Sequence, residues 1–268
     1  MATDPGDLLQ RSEGRTLFGT DPQRYEAGRP DYPDRVYQVL AERCGLRAAI
    51  RILEIGPGTG LVTRHLLAAG ASVTAVEPDG GLAGYLADTY PDVEVVAASL
   101  EEAVLPAAEF DLAVAATSLH WVDQQIGLNK LGRCVRPGGW VAVWWTLFRD
   151  PGRPDPFAQA VEEILGPSTR GAFDEPGRPP FQLDREHRLR DLDRWAGLSR
   201  LESEQFRSPC VFSAREARAL YASMATVLRR PAGEQERLLD AIEELVVHRF
   251  GGEVERQFVT AMYTGRRP

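Results

Sequence analysis

Lysine is almost absent from this chain. Lys130 is the sole lysine in 268 residues, nearly all positive charge is arginine, and no long basic run occurs. With a formal net charge of −8 the sequence carries no electrostatic footprint for a polyanion, so no nucleic-acid partner is expected. Long apolar runs are missing too. No window reaches the ~18 apolar residues that span a bilayer, and the polar stretch from Met1 to Gly14 contains no apolar signal core. A soluble, cytoplasmic protein with no membrane partner is therefore expected. Cysteine is scarce: Cys44, Cys134 and Cys210 are far apart and form no C-x-x-C pair, which fits buried thiols in a reducing compartment. No His-x-x-x-His pair or acidic cluster of ligand spacing is present, so no metal is expected.

What is present is an ordinary globular composition, 43% hydrophobic and 26% charged, long enough for one α/β domain with a cap. Its densest pattern is Leu53-Glu54-Ile55-Gly56-Pro57-Gly58-Thr59-Gly60. Ile50 to Ile55 reads as a strand, and the glycines let the backbone turn sharply and approach a ligand. Leu61, Val62, His65, Leu66 and Leu67 then recur at helical spacing, closed by Gly70. A strand, a glycine loop and a helix N-terminus form a cradle for a nucleotide-like ligand. A dinucleotide turn, G-x-G-x-x-G, requires its third glycine at the place held by Leu61. The third glycine is Gly60 instead, which argues against a nicotinamide ligand.

Strands and helices alternate after the loop. Ser72 to Val76 is a second strand ending at Glu77-Pro78-Asp79, and Glu77 lies where a strand-end carboxylate accepts both ribose hydroxyls. A helix with Leu82, Tyr85 and Leu86 stops before Pro91, and Val93 to Ala97 is the third strand. Ser99, Leu100 and Glu101 follow it, where a side-chain acceptor would bond the exocyclic amine of an adenine. Phe110 to Ala116 is the fourth strand, followed by Thr117-Ser118-Leu119-His120-Trp121-Val122-Asp123. Ligands of open α/β sheets sit at the carboxyl ends of strands, which puts His120 and Trp121 where an acceptor would lie. A helix over Leu128 to Cys134 leads through an Arg136-Pro137-Gly138-Gly139 turn into Trp140 to Leu147, a strand apolar on both faces.

The flanks are less regular. Ahead of the loop, residues 1–17 read as a flexible tail, and 18–45 as a lid in which Pro30 and Pro33 hold an extended segment before an Asp34-capped helix. Arg149 to Pro180 is rich in Pro, Gly and Arg around a helix at Phe157 to Leu165. A helix over Arg185 to Trp195, a strand at Leu201 to Arg207 and a Ser213/Glu216 capping box follow. The box opens a helix with Ala217, Leu220, Tyr221, Met224 and Leu228 on one face; a second helix carries Leu238, Ile242, Leu245 and Val246, and Gln257 to Gly265 is a last strand. The expected organisation is one domain over 18–268, with 149–180 and 213–250 as segments of a substrate lobe.

The E-x-G-P-G-T-G phrase resembles the first motif of class I S-adenosylmethionine-dependent methyltransferases. With Val76-Glu77-Pro78, Phe110-Asp111-Leu112, Leu119-His120-Trp121 and the Arg136 to Gly139 turn, the chain is similar to their type 11 group. Tyr25-Glu26-Ala27-Gly28-Arg29-Pro30-Asp31-Tyr32-Pro33 and the closing Tyr263-Thr264-Gly265-Arg266-Arg267 resemble a subgroup that includes trans-aconitate methyltransferase-like enzymes. The resemblance implies a Rossmann-like seven-stranded, mostly parallel sheet, order 3-2-1-4-5-7-6, with helices on both faces and a small helical lobe between strands 6 and 7. It implies S-adenosylmethionine as cofactor, held by Glu54, Gly56, Pro57, Gly58, Thr59, Gly60, Glu77, Pro78, Ser99, Leu100, Glu101 and Thr117; because many such enzymes carry Asp where this chain has Ser99, Glu101 is the preferred adenine contact and Ser99 the second. Tyr25 and Arg29 would close over the methionine end. The acceptor is expected to be a small molecule methylated on a carboxylate or hydroxyl oxygen and bounded by His120, Trp121, Trp144 and Trp145. His120 is the candidate base for an acceptor that must lose a proton. A S-adenosylmethionine-binding pathway partner without transferase activity is the alternative, and a monomer or homodimer fits either reading.

Overall fold

A computed structural model describes residue 14 and residues 17–166 and 177–268. The expected tail, apart from residues 14 and 17, and residues 167–176 of the expected lobe segment lie outside the described residues.

Apolar runs build the sheet. β1 (Arg51–Ile55), β2 (Ser72–Val76), β3 (Glu94–Val96), β4 (Phe110–Ala116) and β5 (Val135–Leu147) pair in parallel. β7 (Glu253–Arg266) lies antiparallel between β5 and β6 (Ser199–Ser213), giving the seven-stranded order β3-β2-β1-β4-β5-β7-β6. Successive strand side chains point to opposite faces, so Val141, Val143 and Trp145 of β5 join Leu53 and Ile55 in one core. Ala142 and Trp144 join Ile52 and Val114 in the other. This is why the central strands are apolar at nearly every position. Complete burial of Ile52, Leu53 and Leu112 stabilises the sheet by about 2 kcal/mol per side chain.

Helices cover both faces. α1 (Pro22–Gly28) is capped by the Asp21 carboxylate, and α2 (Asp34–Glu42) buries Val36, Val39 and Leu40 in the second core. α3 (Thr63–Ala68) follows β1 and α4 (Gly80–Thr89) follows β2. α5 (Gln124–Cys134) brings Leu128 and Leu131 to the first core, where α7 (Arg185–Ala196) adds Leu192 and Ala196. α6 (Pro156–Leu165) packs with α8 (Ala214–Ala222), α9 (Ala225–Leu228) and α10 (Ala232–Phe250) in a third apolar cluster, built on Phe157, Leu220, Val227 and Ile242. The lobe between β6 and β7 is thus helical, and the Ser213/Glu216 capping box opens it.

Several local expectations change. Arg136 to Gly139 is not a free turn but part of β5, with a register shift opposite Phe110 and Leu112. Gly138, at φ 81°, donates its N–H to Arg267 O at 2.9 Å, and the Arg267 N–H returns to Gly139 O at 2.9 Å. Those bonds from the chain's end convert the turn into a bulged strand. Asp34 is the first residue of α2 rather than its cap, which is Pro33. The helix expected to run from Ala217 through Leu228 breaks at Ser223. Its hydroxyl bonds back to Leu220 O at 2.6 Å, competing with continuation of the helix.

Candidate active site

The glycine loop turns where β1 ends. Gly56 has φ +61°, and a Cβ there would stand 2.5 Å from the Ser118 Cβ, so only glycine permits the approach of this loop to the end of β4. Gly56 N–H donates to Val76 O at 2.9 Å, which ties the loop to β2 and places Glu77 beside it. Glu77 accepts Gly58 N–H through Oε2 at 3.1 Å and Asp79 N–H through Oε1 at 3.0 Å. Glu54, beneath the loop, accepts the Thr63 hydroxyl at 2.7 Å. Burial pushes both carboxyls up to about 7, and their hydrogen bonds only partly oppose it.

A cavity of about 730 Å³ opens over this loop and extends across the strand ends, well within the range of small-ligand pockets. Tyr25, Arg29, Glu54, Gly56, Pro57, Gly58 and Thr59 line it, as do Glu77, Pro78, Ser99, Leu100 and Thr117. His120 and Trp121 line it as well. Gly60 does not; a Cβ on it would meet Tyr90 Cε2 at 2.4 Å, so this glycine serves packing against α4 and the chain that follows it. Glu101 also turns away, its Oε1 accepting Asp123 N–H at 2.8 Å at the start of α5. Ser99 stays at the wall and donates its hydroxyl to Glu102 at 2.7 Å. Trp144 and Trp145 are buried on opposite faces of β5 and reach no wall of the cavity.

Trp145 touches the site through another residue. Its indole N–H donates to His120 Nδ1 at 3.0 Å, and burial pushes His120 down to about 3. The imidazole is therefore neutral at physiological pH. Trp144 has a comparable indirect position, edge-on to Tyr32 at 5.7 Å between ring centroids. The Tyr32 hydroxyl is 2.9 Å from Thr117 Oγ1, and Thr117 sits at φ +52°, a left-handed conformation that a β-branched residue rarely adopts.

The segment before β1 closes the cavity from above. Phe18 packs on Tyr25 at 5.3 Å and on Trp121 at 6.4 Å. The Arg29 guanidinium lies 4.9 Å from the ring centres of both Tyr25 and Phe148, with Nη2 donating to Ser223 O at 2.6 Å. Among the described residues its Nε is buried without a hydrogen-bond partner. Phe18, Tyr32, Ser118, Phe148 and Met224 line the cavity and escaped sequence reasoning. Tyr32 had a signal in its Tyr-Pro phrase and Phe148 in its place directly after β5; Met224 had none, since it reads as helix core. Among the described residues no group of three or more His, Cys, Asp or Glu could hold a metal, and no helix is long and apolar enough to cross a membrane.

These residues fit S-adenosylmethionine. Two buried carboxyls held near 7 are stabilised as anions by a ligand that brings hydroxyl donors and positive charge. Residues 53–143 match the methyltransferase domain family. An uncharacterized methyltransferase of Schizosaccharomyces pombe is 25% identical over 234 residues, covering 87% of this chain and 88% of its own. A malonyl-[acyl-carrier protein] O-methyltransferase of Pseudescherichia vulneris is 32% identical over 136 residues, 50% of this chain and 54% of its own. Among solved structures, phosphoethanolamine N-methyltransferase 2 of Haemonchus contortus with phosphomonomethylethanolamine and S-adenosylhomocysteine aligns with a TM-score of 0.56 at 13% identity. That alignment covers 93% of this chain, which spans only 57% of the Haemonchus protein. The sequence matches support a methyltransferase domain over residues 53–143 with S-adenosylmethionine as its cofactor, and the solved structure shares the fold.

Proposed function

We propose that the chain methylates an oxygen, carboxylate or hydroxyl, of a small-molecule acceptor. The observation that carries this reading is one continuous cavity running from Glu77 to His120 and Trp121, because donor and acceptor must meet in line within a single space. When bound, S-adenosylmethionine supplies an electrophilic methyl on a sulfonium, a leaving group that needs no help from the protein. Glu77 accepts the ribose hydroxyls, and Ser99 and Leu100 border the adenine. Gly56, Pro57, Gly58 and Thr59 pack along the methionine part, with Glu54 below and Pro78 and Thr117 at the edges. Arg29, with its unsatisfied Nε, pairs with a carboxylate there while Tyr25 covers it. Residues 18–45 act as the lid, and 149–180 and 213–250 select the acceptor.

An oxygen target is consistent with the O-methyltransferase relative, and an acidic acceptor with the trans-aconitate methyltransferase-like phrases at both ends of the chain. Incubation with methyl-labelled S-adenosylmethionine and a panel of small carboxylic acids and alcohols should yield a labelled ester or ether. Cofactor binding without labelled product, from the panel or from a metabolite extract, would establish the alternative of a binding protein that transfers nothing.

A further inference from the structure

We infer that Lys130 is a positioning residue for the cofactor: its ammonium gathers the carbonyls of Leu100, Glu101 and Ala103 and so fixes the turn that presents Ser99 and Leu100 to the cavity. Of 31 lysine and arginine side chains in the sequence, this one alone is lysine. It reaches from the second half of α5 to the turn after β3, where Nζ donates to Leu100 O at 2.7 Å, Glu101 O at 2.9 Å and Ala103 O at 2.7 Å. An ammonium carries three donors about one atom and accepts nothing, so these three carbonyls use it completely. Guanidinium donors lie on a planar, rigid fork, which matches the two oxygens of a carboxylate and not three carbonyls converging on a point. No backbone N–H among the described residues reaches any of the three carbonyls, so Lys130 supplies bonds that the turn otherwise lacks.

The turn is closed on itself at the cavity end. Ser99 O accepts the N–H groups of Glu102 at 3.1 Å and Ala103 at 2.8 Å, and the Ser99 hydroxyl donates to Glu102 at 2.7 Å. Away from the cavity it is held by α5 at three points. Glu101 Oε1 accepts Asp123 N–H at 2.8 Å where the helix starts, and Leu100 lies against Gly127, on which a Cβ would stand 3.4 Å from Leu100 Cδ2. Lys130 is the third point. Ser99 and Leu100, both buried, line the cavity and Lys130 does not, so Lys130 acts on the cavity through the turn. The consequence for the cofactor rests on the proposed reading that Ser99 and Leu100 border the adenine, whereas the clamp does not. Coupling between two sites is reciprocal, so a clamp that favours cofactor binding is itself tightened by the bound cofactor.

The full chain grown with lysine labelled at its side-chain nitrogen gives a single ammonium signal, because it holds a single lysine. In wild type that ammonium should show a proton–nitrogen correlation at pH 7, since three hydrogen bonds slow its exchange with water, and S-adenosylhomocysteine should slow the exchange further. Lys130→Met and Lys130→Arg should each weaken S-adenosylhomocysteine binding ~10–100-fold by calorimetry, the loss of one or two oriented hydrogen bonds to the turn. A wild-type ammonium that exchanges as freely as a solvated lysine overturns the assignment, whether or not either variant folds. Weakened binding in Lys130→Met with wild-type binding in Lys130→Arg overturns the three-donor argument. A protected ammonium that S-adenosylhomocysteine leaves unchanged, with both variants binding as wild type does, leaves the clamp standing and overturns the placement of the adenine against this turn. A wild-type chain with no affinity for S-adenosylhomocysteine overturns the cofactor reading instead.

Discussion

Replacing Glu77 with glutamine keeps the side chain's size and removes a buried charge. Glu77 is 4% exposed and has two backbone N–H donors at its two oxygens. Burial outweighs those donors and moves the carboxyl from 4.5 to about 7. Between these values the folded protein keeps a proton that the unfolded chain has released. The group's contribution to stability is therefore full below pH 4.5 and is lost as pH rises through 7. At about 1.4 kcal/mol for each tenfold change, the difference of 7 − 4.5 corresponds to about 3 kcal/mol of destabilisation above pH 7. Glu77→Gln removes it, but the single amide carbonyl can accept from only one of Gly58 and Asp79, a loss of about 1 kcal/mol. The ligand-free variant should thus be more stable than wild type at pH 8 by about 2 kcal/mol, or ~4–8 °C in Tm. Near pH 4.5 the sign reverses, since only the lost hydrogen bond remains. Cofactor binding moves the other way: an ionised acceptor for the ribose hydroxyls is gone, so affinity for S-adenosylhomocysteine should drop ~10–100-fold. Melts from pH 4.5 to 8 and titration calorimetry measure both. A variant less stable than wild type at pH 8, or one binding the product as wild type does, would refute the reasoning.

His120→Ala separates the two oxygen acceptors. Turnover of a carboxylic acid should largely survive, within ~10-fold, whereas an enzyme using His120 as base should lose ~100-fold or more. Gly60→Ala forces a Cβ into the Tyr90 ring at φ +93° and should cost about 3 kcal/mol in urea unfolding through strain and overpacking. Asp155→Ala strips the 3%-exposed Arg256 of its carboxylate at 2.7 Å. It also removes the cap of α6. A loss of about 3–5 kcal/mol is expected in the same assay, partly recovered by adding Arg256→Met.

The fold was legible because its signals are local. Each of the first four strands ends at a chemically distinct phrase, and the spacing from Gly56 to Glu77 follows from one strand–loop–helix unit of ordinary length. Side-chain direction was not legible. Trp144 and Trp145 are adjacent on a strand buried on both faces, so apolar periodicity cannot say which of them nears the site, and the structure puts both one layer beneath it. Glu101 was hidden for another reason: the turn after β3 puts Ser99 and Leu100 at the cavity wall and directs Glu101 to the Asp123 N–H, and turn geometry is not encoded by residue type there.

The acceptor end was hidden for a reason of topology. Gly28 packs so closely on α8 that a Cβ would stand 2.2 Å from Ala219 O, and Arg29 donates to Ser223 from 194 positions away in sequence. Segments that read separately as a lid and a lobe therefore form one wall, continuous through Arg29 from Tyr25 to Phe148. α8 is in direct contact with α1, which carries Tyr25 and ends at Arg29, the residues proposed to cover the methionine part. On the proposed reading, the lobe that selects the acceptor and the residues that cover the cofactor share this wall, so a substitution in the lobe is expected to change cofactor affinity as well as acceptor turnover, which titration calorimetry and turnover assays check.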